Sequence, residues 1–318
     1  MSILIAIPCF NEEKNISNTI HKIQESTKLI NVEILVVEDG STDSTIEVLN
    51  KLSVTIIQHE VNKGLGEAFR SMVNYCLEKK HDYMITIDAD GQFDSGEIEK
   101  FIVEISSKKF DFVTGSRFLR DSQTENMPKA RRVGNKIYAL VISKLAAIEI
   151  SDVSCGFRAY TRNALLHLNL SGQFTYTHET ILSLAQQKLR FSEIPIKVKY
   201  FEERESAISG SLFKYAINTS RIIFRNVFYF APSRVFFWLG NVFLLPSLIF
   251  LSLFFEHKID SGSFQGYYFA GVLGGLFGAL TFVMFTAAAI SIVMTRLLKE
   301  QNKVLFLIKL NLYEGGDS

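Results

Sequence analysis

The sequence predicts an α/β domain, a sheet with helices on both faces, followed by a two-helix transmembrane hairpin. Three observations predict it. Over residues 1–210, short apolar runs alternate with longer, charged, helix-like stretches. Carboxylate-rich clusters follow the first, second and fourth of those runs. From residue 235 onward, two long stretches carry no charge at all.

In chain order, strands are expected near 3–7, 34–38, 54–57, 83–87 and 112–115, with helices near 12–28, 43–51, 65–79 and 95–108. Ser41 or Asp43 is the expected cap of the second helix, and Asp94 or Ser95 that of the fourth. "PCFNEE" follows strand one, "EDGSTDST" strand two and "DADGQFD" strand four. The polar clusters therefore gather beyond strand carboxyl ends, where open α/β sheets bind ligands. "EIPIKVKY", from Glu193, reads as a further strand. No GxGxxG follows the first strand and no GxxxxGK[ST] occurs, which disfavours a simple dinucleotide site and a P-loop.

Residues 235–255 and 261–295 are free of charge. Twenty-one helical residues span about 31 Å, the thickness of a bilayer's hydrocarbon. Pro246, Gly240 and the glycines from 274 are tolerable in such helices, and Asn241 is expected to face the partner helix. Lys214, Arg221, Arg225 and Arg234 precede the first span, and Arg296, Lys299, Lys303 and Lys309 follow the second; the connector holds Lys258 alone. Positive-inside bias places both termini in the cytoplasm, on the inner face of the cell membrane. The expected organisation is a cytosolic domain over 1–210, an amphipathic juxtamembrane segment over 211–234, spans at 235–255 and 267–295, an external connector over 256–266 and a cytosolic tail over 296–318. Lys214, Asn218, Arg221 and Arg225 share one side of a helix among Ile217, Phe224 and Phe228, a pattern suited to anionic lipid.

The 318 residues carry 34 basic and 33 acidic side chains, a net charge of +1, so no global field suggests nucleic acid. Cys9, Cys76 and Cys155 lie far apart, without metal-ligand spacing, and read as buried thiols. "MSILIAIPCFNEE" turns polar too soon for a signal peptide and reads as a first strand.

"ITIDADGQFD", residues 85–94, sets Asp88, Asp90 and Asp94 directly after an apolar strand. Held at the sheet edge, Asp88 and Asp90 can reach one hard cation, with Gln92 supplying an amide oxygen. Mg²⁺ or Mn²⁺ suits such donors and keeps positions open for phosphates. The negative cluster thereby becomes an adapter between an acidic protein edge and an acidic pyrophosphate.

"IPCFNEE", "VVEDGSTDST", "NKGLGEA", "IDADGQFD", "GSRF", "SCGFRAY" and "EIPI" occur in this order. The chain resembles the GT-A glycosyltransferases of family 2, especially the polyprenyl-phosphate glycosyltransferases such as dolichyl-phosphate mannose synthase and its bacterial two-span relatives. The resemblance covers residue 3 to about 215 and implies a GT-A nucleotide-sugar-binding domain. It also implies that Pro8, Phe10, Asn11 and Glu12 surround the nucleotide and that Asp39 meets the base or ribose. Asp88 and Asp90 correspond to the family's D-x-D, with Asp90 the firmer metal ligand and Gln92 beside it. Arg117 matches an arginine near the sugar and acceptor phosphates. Glu38 stands where the family often has aspartate, which weakens any role for that first acid.

A lipid monophosphate is already ionised near neutral pH, so transfer to it needs no strong base at Asp94 or Glu179. The resemblance implies inverting transfer of a hexose from a nucleotide sugar to polyprenyl phosphate. UDP-glucose is slightly favoured by resemblance, with GDP-mannose and UDP-N-acetylhexosamines left open. "PKARRVGNKIYALVISK", 128–144, is the expected acceptor-side helix, with Arg131, Asn135 and Tyr138 along one face. Relatives carry a small hydroxyl where Asn135 stands. Arg158 reads as an ion pair supporting the fold, with Asp152 as its partner or as a loop-shaping residue. His178 and Glu179 suggest a sugar-site wall, and "RESAIS" a segment closing over the nucleotide, Arg204 reaching the diphosphate and Ser209 helping, with Ala207 in a glycine's place. Alternatives are transfer to another membrane lipid, which needs a base at Asp94, and a non-catalytic nucleotide-sugar-binding scaffold. Two spans hardly enclose a polymer channel. Homo-oligomerisation through the membrane helices, as a tetramer for instance, stays open.

Overall fold

A computed structural model describes residues 1–169, 176–200, 227–228 and 231–315. Arg204, Ala207, Ser209, Lys214, Asn218, Arg221 and Arg225 lie outside the described residues, so the expectations for the closing segment and the interfacial helix fall there too.

Alternation of side chains builds the first strand. In β1 (Ile3–Cys9), Ile3, Ile5, Ile7 and Cys9 join one buried cluster, while Leu4 and Ala6 are buried on the opposite face. β2 (Val32–Glu38), β3 (Thr55–Gln58) and β4 (Tyr83–Thr86) follow as parallel neighbours in the order β3-β2-β1-β4. Runs buried on both faces suit a parallel sheet under helices. α1 (Ile16–Ser26) buries Ile16, Ile20 and Ile23, and α4 (Ile98–Ser106) buries Ile98, Phe101, Ile102 and Ile105, all in the cluster of the odd-numbered β1 residues. Each such side chain contributes about 1.5–3 kcal/mol of burial. α3 (Leu65–Glu78) covers the other face through Phe69, Met72 and Cys76. α2 (Thr45–Leu49) starts after Asp43, whose carboxylate accepts the Thr45 amide at 3.1 Å, and Asp94 caps the 3-10 turn before α4 by accepting from Gly96 N.

Beyond β4 the sheet changes direction. β5 (Phe112–Ser116) does not pair with β4; β7 (Arg158–Thr161) lies between them, antiparallel to both, and β8 (Phe191–Pro195) closes the seven-strand order β3-β2-β1-β4-β7-β5-β8. Because β7 runs backwards, its beginning meets the end of β4, and Thr86 pairs with Arg158. The "EIPIKVKY" strand divides at Ile196: β8 stays in the main sheet, while β9 (Lys197–Lys199) pairs in parallel with β6 (Gln123–Glu125). α5 (Lys129–Ala146), α6 (Arg162–His167) and α7 (Tyr176–Gln186) complete this part.

A second unit, residues 220–303, holds α8 (Pro232–Ser261) and most of α9 (Tyr268–Glu314). Both are long and apolar enough to cross a membrane, with Trp238 and Phe282 widely exposed, and they mark the chain as membrane-associated. Small residues set the packing of the pair. A Cβ at Gly240 would meet the Phe285 ring at 2.5 Å and one at Gly274 would meet Leu251 at 2.8 Å, while Ser247 donates to Gly274 O at 2.9 Å. Asn241 sits one turn after Phe237, whose ring packs against Phe285 of the other helix with centroids 5.7 Å apart. Its amide donates to Phe237 O one turn back in its own helix, at 2.8 Å, which satisfies it locally. α8 extends through "EHKIDS", so the expected connector shortens to 262–267, and the expected tail is helical as far as Glu314. The stretch from Val304 belongs with the α/β unit, where Arg162 bonds Glu314 and Tyr313 O and His167 stacks on Phe306 at 4.0 Å.

Candidate active site

Two loops are sewn together at the carboxyl ends of β1 and β2. Pro8 is buried in β1, and Cys9 O accepts the Asp39 amide at 2.8 Å. Phe10 stands 42% exposed beyond the strand end. Asn11 adopts φ 55, a region asparagine tolerates; its amide donates to Ser41 Oγ and its Oδ1 accepts the Thr42 amide at 2.8 Å. The Glu12 amide donates to Thr45 Oγ1 and its carboxylate accepts from Asn15. Gly40, at φ 70, is required: a Cβ there would lie 2.4 Å from the Val61 backbone.

Asp39 follows the last residue of β2 at the same edge. It is buried, and its two oxygens accept the Lys63 and Gly64 amides at 3.1 and 2.8 Å while His59 Nδ1 lies 2.6 Å away. Here Asp39 shapes the "NKGLG" turn. His59, whose Nε2 reaches Ser71, escaped the sequence reading; its signal was a histidine one residue past β3, on the same sheet edge.

The strand that ends at Thr86 delivers the acid pair. Thr86 Oγ1 donates to Gly156 O at 2.8 Å, and Thr19 fixes the Ala89 carbonyl. Asp88 lies so close to Gly156 that a Cβ there would be 2.6 and 2.8 Å from its carboxylate oxygens. Asp90 Oδ1 accepts the Gln92 amide at 3.0 Å, turning the chain at Gly91. Burial and then the neighbouring Asp90 push the Asp88 carboxyl up to about 7, against the opposing pull of Arg117 and Arg158. A carboxyl raised by burial and by a neighbouring carboxylate is what a divalent cation relieves, and the hard oxygens of the pair fit Mg²⁺ or Mn²⁺. No cluster of three or more His, Cys, Asp or Glu is placed to hold a metal among the described residues. The pair therefore suits a cation completed by a ligand's phosphates.

Arg117 leaves β5 at the same edge and is only 8% exposed. Its Nε and Nη2 grip Asp152 at 2.6 and 2.7 Å, Nη2 also reaches Ser154, and Nη1 donates to Tyr200 at 2.6 Å. Burial opposes an ionised Asp152, yet Arg117, together with Asn135, holds its carboxyl below the usual range. Asn135 Nδ2 donates to Asp152 Oδ1 at 2.9 Å, and its own Oδ1 is buried without a partner among the described residues. Glu193, raised by its burial, accepts the Ser151 and Asp152 amides. Arg131 is exposed, with its guanidinium 5.2 Å over the Tyr200 ring. Tyr138 is buried against His178, ring centroids 4.3 Å apart, and Glu179 lies in the first turn of α7.

The expected Arg158–Asp152 pair does not form. Reversed β7 points Arg158 into the layer under α7, where it donates to Thr177 O, Thr180 Oγ1 and Val153 O, while Asp152 turns to Arg117. Asp152 does shape its loop, accepting the Ser154 amide. Above Arg158, the Tyr176 hydroxyl is buried without a partner among the described residues, and its ring stacks on Phe69 at 4.2 Å.

The glycosyl transferase family 2 pattern matches residues 4–168, more than half the chain. The chain belongs to glycosyl transferase family 2. A UDP-N-acetylglucosamine–dolichyl-phosphate N-acetylglucosaminyltransferase of Methanococcus voltae is 30% identical over 220 residues, covering 63% of this chain and 86% of that one. The polyprenol monophosphomannose synthase of Mycolicibacterium smegmatis is 28% identical over 225 residues, covering 67% and 83%. Among solved structures, the glucosyl-3-phosphoglycerate synthase of Mycobacterium tuberculosis in complex with Mn²⁺ and UDP-glucose superposes with a TM-score of 0.52 at 18% identity, over 70% of this chain and 78% of that one. At that identity the likeness shows the fold, a GT-A core.

As a family 2 glycosyltransferase, the chain gathers Pro8, Phe10, Asn11, Glu12, Asp39, Asp88, Asp90, Gln92, Arg117 and Asn135 at the strand-carboxyl side of one sheet. Gly156 and Tyr200, which the sequence reading did not single out, join Asp88 and Arg117 through long-range contacts.

Proposed function

We propose that this glycosyltransferase moves a hexose from a nucleotide sugar to polyprenyl phosphate with inversion at the anomeric carbon. UDP-glucose is the favoured donor; GDP-mannose and UDP-N-acetylhexosamines are the alternatives. The observation that carries the reading is the half-buried Asp88–Asp90 pair just beyond β4, beside a wall that contains Arg117. The relatives that act on dolichyl and polyprenol phosphates, and the fold neighbour that binds Mn²⁺ with UDP-glucose, support it.

Asp88, Asp90 and the Gln92 amide would hold Mg²⁺ or Mn²⁺, which neutralises the diphosphate leaving group. Pro8, Phe10, Asn11 and Glu12 are assigned to the nucleotide side, with Asp39 on the base or ribose and Arg204 and Ser209 reaching the diphosphate. Arg131, Arg117 and Asn135 are assigned to the acceptor side. A phosphate oxygen of the acceptor forms the new bond to the anomeric carbon as the bond to the nucleoside diphosphate breaks. The nucleophile is already an anion, so the chain's task is to hold two anionic groups in line. Asp94 is committed to its cap, in keeping with a transfer that needs no base there. The two apolar helices are assigned as a hairpin with both chain ends cytosolic, to bring the domain to its lipid.

A donor panel with purified protein, polyprenyl phosphate and Mg²⁺ or Mn²⁺, run beside the matching neutral polyprenol, tests the reading. Turnover with the phosphate alone is expected. Transfer to the alcohol, or tight donor binding without turnover, would overturn it.

A further inference from the structure

α5 presents two features that the proposed reaction leaves unused. A cavity of about 260 Å³ lies beside the helix, between Arg132 and Lys136 on one side and Phe118, Leu119, Ser122 and Thr124 on the other, with Arg117 at its edge. Arg117 has its charge matched by Asp152. The net charge of the cavity therefore comes from Arg132 and Lys136, neither of which has an ion-pair partner among the described residues. The hydroxyls of Ser122 and Thr124 donate elsewhere, to Ser116 O and Arg117 O, and keep oxygen lone pairs for other donors.

The second feature is apolar. Val133, Ile137 and Leu140 are 57%, 53% and 59% exposed. At 100° per residue they form one stripe, next around the helix from Arg132 and Lys136 and opposite the buried Asn135, Tyr138 and Ile142. The stripe runs about 10 Å along the axis. α5 also carries five basic residues and no acidic one in its 18 residues.

We propose that α5 is a second membrane contact, on which an anionic phospholipid of the bilayer docks. The headgroup phosphate enters the cavity between Arg132 and Lys136, and Val133, Ile137 and Leu140 meet the outer hydrocarbon. A bilayer answers both features at once, since it sets an anionic layer beside an apolar one at the spacing an interfacial helix needs. The unbalanced positive charge disfavours a second copy of the same face, which would bring like charges together. Because α8 and α9 already associate the chain with a membrane, even a weak contact is populated at the high effective concentration of a tethered site. The cavity borders Arg117, assigned above to the acceptor side, but docking is read from lipid contact without donor, acceptor or turnover, so its failure and that of the proposed reaction are distinguishable.

The test uses the full chain in nanodiscs of phosphatidylcholine with or without phosphatidylglycerol. The three native cysteines are buried, so Ile137→Cys can be labelled with an environment-sensitive fluorophore, and Val103→Cys, on exposed α4 surface, serves as the reference. Quenching by spin-labelled phospholipid is expected at 137 and not at 103 when phosphatidylglycerol is present. Adding Arg132→Gln and Lys136→Gln should shift docking roughly 30-fold towards the free state, at about 1 kcal/mol per basic residue. High salt should release the unsubstituted chain in the same way, which reads the charge dependence without any loss of fold. Quenching at 137 no greater than at 103 overturns the proposal. So does quenching that ignores phosphatidylglycerol, salt and the double substitution, or energy transfer between labelled copies in place of lipid quenching.

Discussion

Arg117 and Asp152 form a two-point ion pair, 2.6 and 2.7 Å, with Asp152 fully buried and Arg117 nearly so. The pair joins the end of β5 to the loop before β7 and so fixes the wall facing the Asp88–Asp90 edge. Asn135 from α5 and Tyr200 after β9 bond to opposite ends of it. Arg117 is thus a positioned cation, held by protein before any ligand arrives.

Removing one partner should be costly. Asp152→Ala leaves a buried guanidinium uncompensated, a loss of about 3–5 kcal/mol, or roughly 6–20 °C in Tm. Arg117→Met added to Asp152→Ala should recover part of that stability, because it removes the stranded charge. Thermal unfolding of the four proteins in detergent checks this; a double variant less stable than Asp152→Ala alone would refute the charge account.

Gly156→Ala separates geometry from stability. The atoms nearest the new Cβ are those of the Asp88 carboxylate, the far end of a side chain, from 2.6 Å. The chain should fold with little loss while the carboxylate moves aside. A shift of that order costs about 100-fold in activity, with weaker apparent affinity for Mn²⁺. Asp90→Ala should abolish divalent-cation-dependent transfer in a folded protein. Near wild-type turnover of either variant across a metal titration would remove the acid pair from the site.

What sequence patterns encode locally was legible. The alternation of Ile3, Ile5 and Ile7 against Leu4 declares a strand buried on both faces, and charge-free runs declare apolar helices. Partnerships across the sheet were not. That Asp152 would choose Arg117 over Arg158 depends on the reversed direction of β7, which no local pattern reports. The same reversal sets Gly156 against Asp88, so a glycine that reads as an ordinary loop residue becomes a contact of the acid pair. The protein partners of Asp39 were not legible either, because His59 and the Lys63–Gly64 turn lie twenty or more residues downstream.

Stability should also depend on pH through Glu33. Burial would raise its carboxyl, but hydrogen bonds from Tyr75 and Thr55, with His81 beside it, outweigh burial and lower it. A carboxyl lowered in the fold stabilises above its unfolded pKa, about 4.3, and that contribution is lost as pH falls through the lower folded value. Glu33 is 34% exposed, so screening limits the effect to about 1 kcal/mol or less. Glu33→Gln should be less stable than wild type near neutrality, and the gap should close below about pH 4. A gap that persists unchanged in acid would assign the loss to packing.

Hairpin topology has a direct check. Single cysteines introduced in the 262–267 turn should label only from outside the cell, and those near residue 300 only from the cytosol. Labelling of the turn from the cytosolic side alone would invert the orientation.

Arg131 offers the sharpest discrimination between donor and acceptor. Its guanidinium lies over Tyr200, whose hydroxyl accepts from Arg117, so stacking carries it to the Arg117–Asp152 wall. If stacking were its whole role, Arg131→Ala would cost about 0.5–1 kcal/mol, less than roughly tenfold. A charge-assisted contact with the acceptor phosphate is larger, about 2–4 kcal/mol, or about 30- to 1000-fold in kcat/KM for polyprenyl phosphate. Lysine should rescue only in part, because it keeps the charge and loses the planar fork. Tyr200→Leu, which removes the ring and keeps the arginine, should fall well short of the loss in Arg131→Ala. Nucleotide-sugar affinity by calorimetry should stay near normal in Arg131→Ala. Weakened donor binding with unchanged acceptor saturation would move Arg131 to the donor side of the reaction.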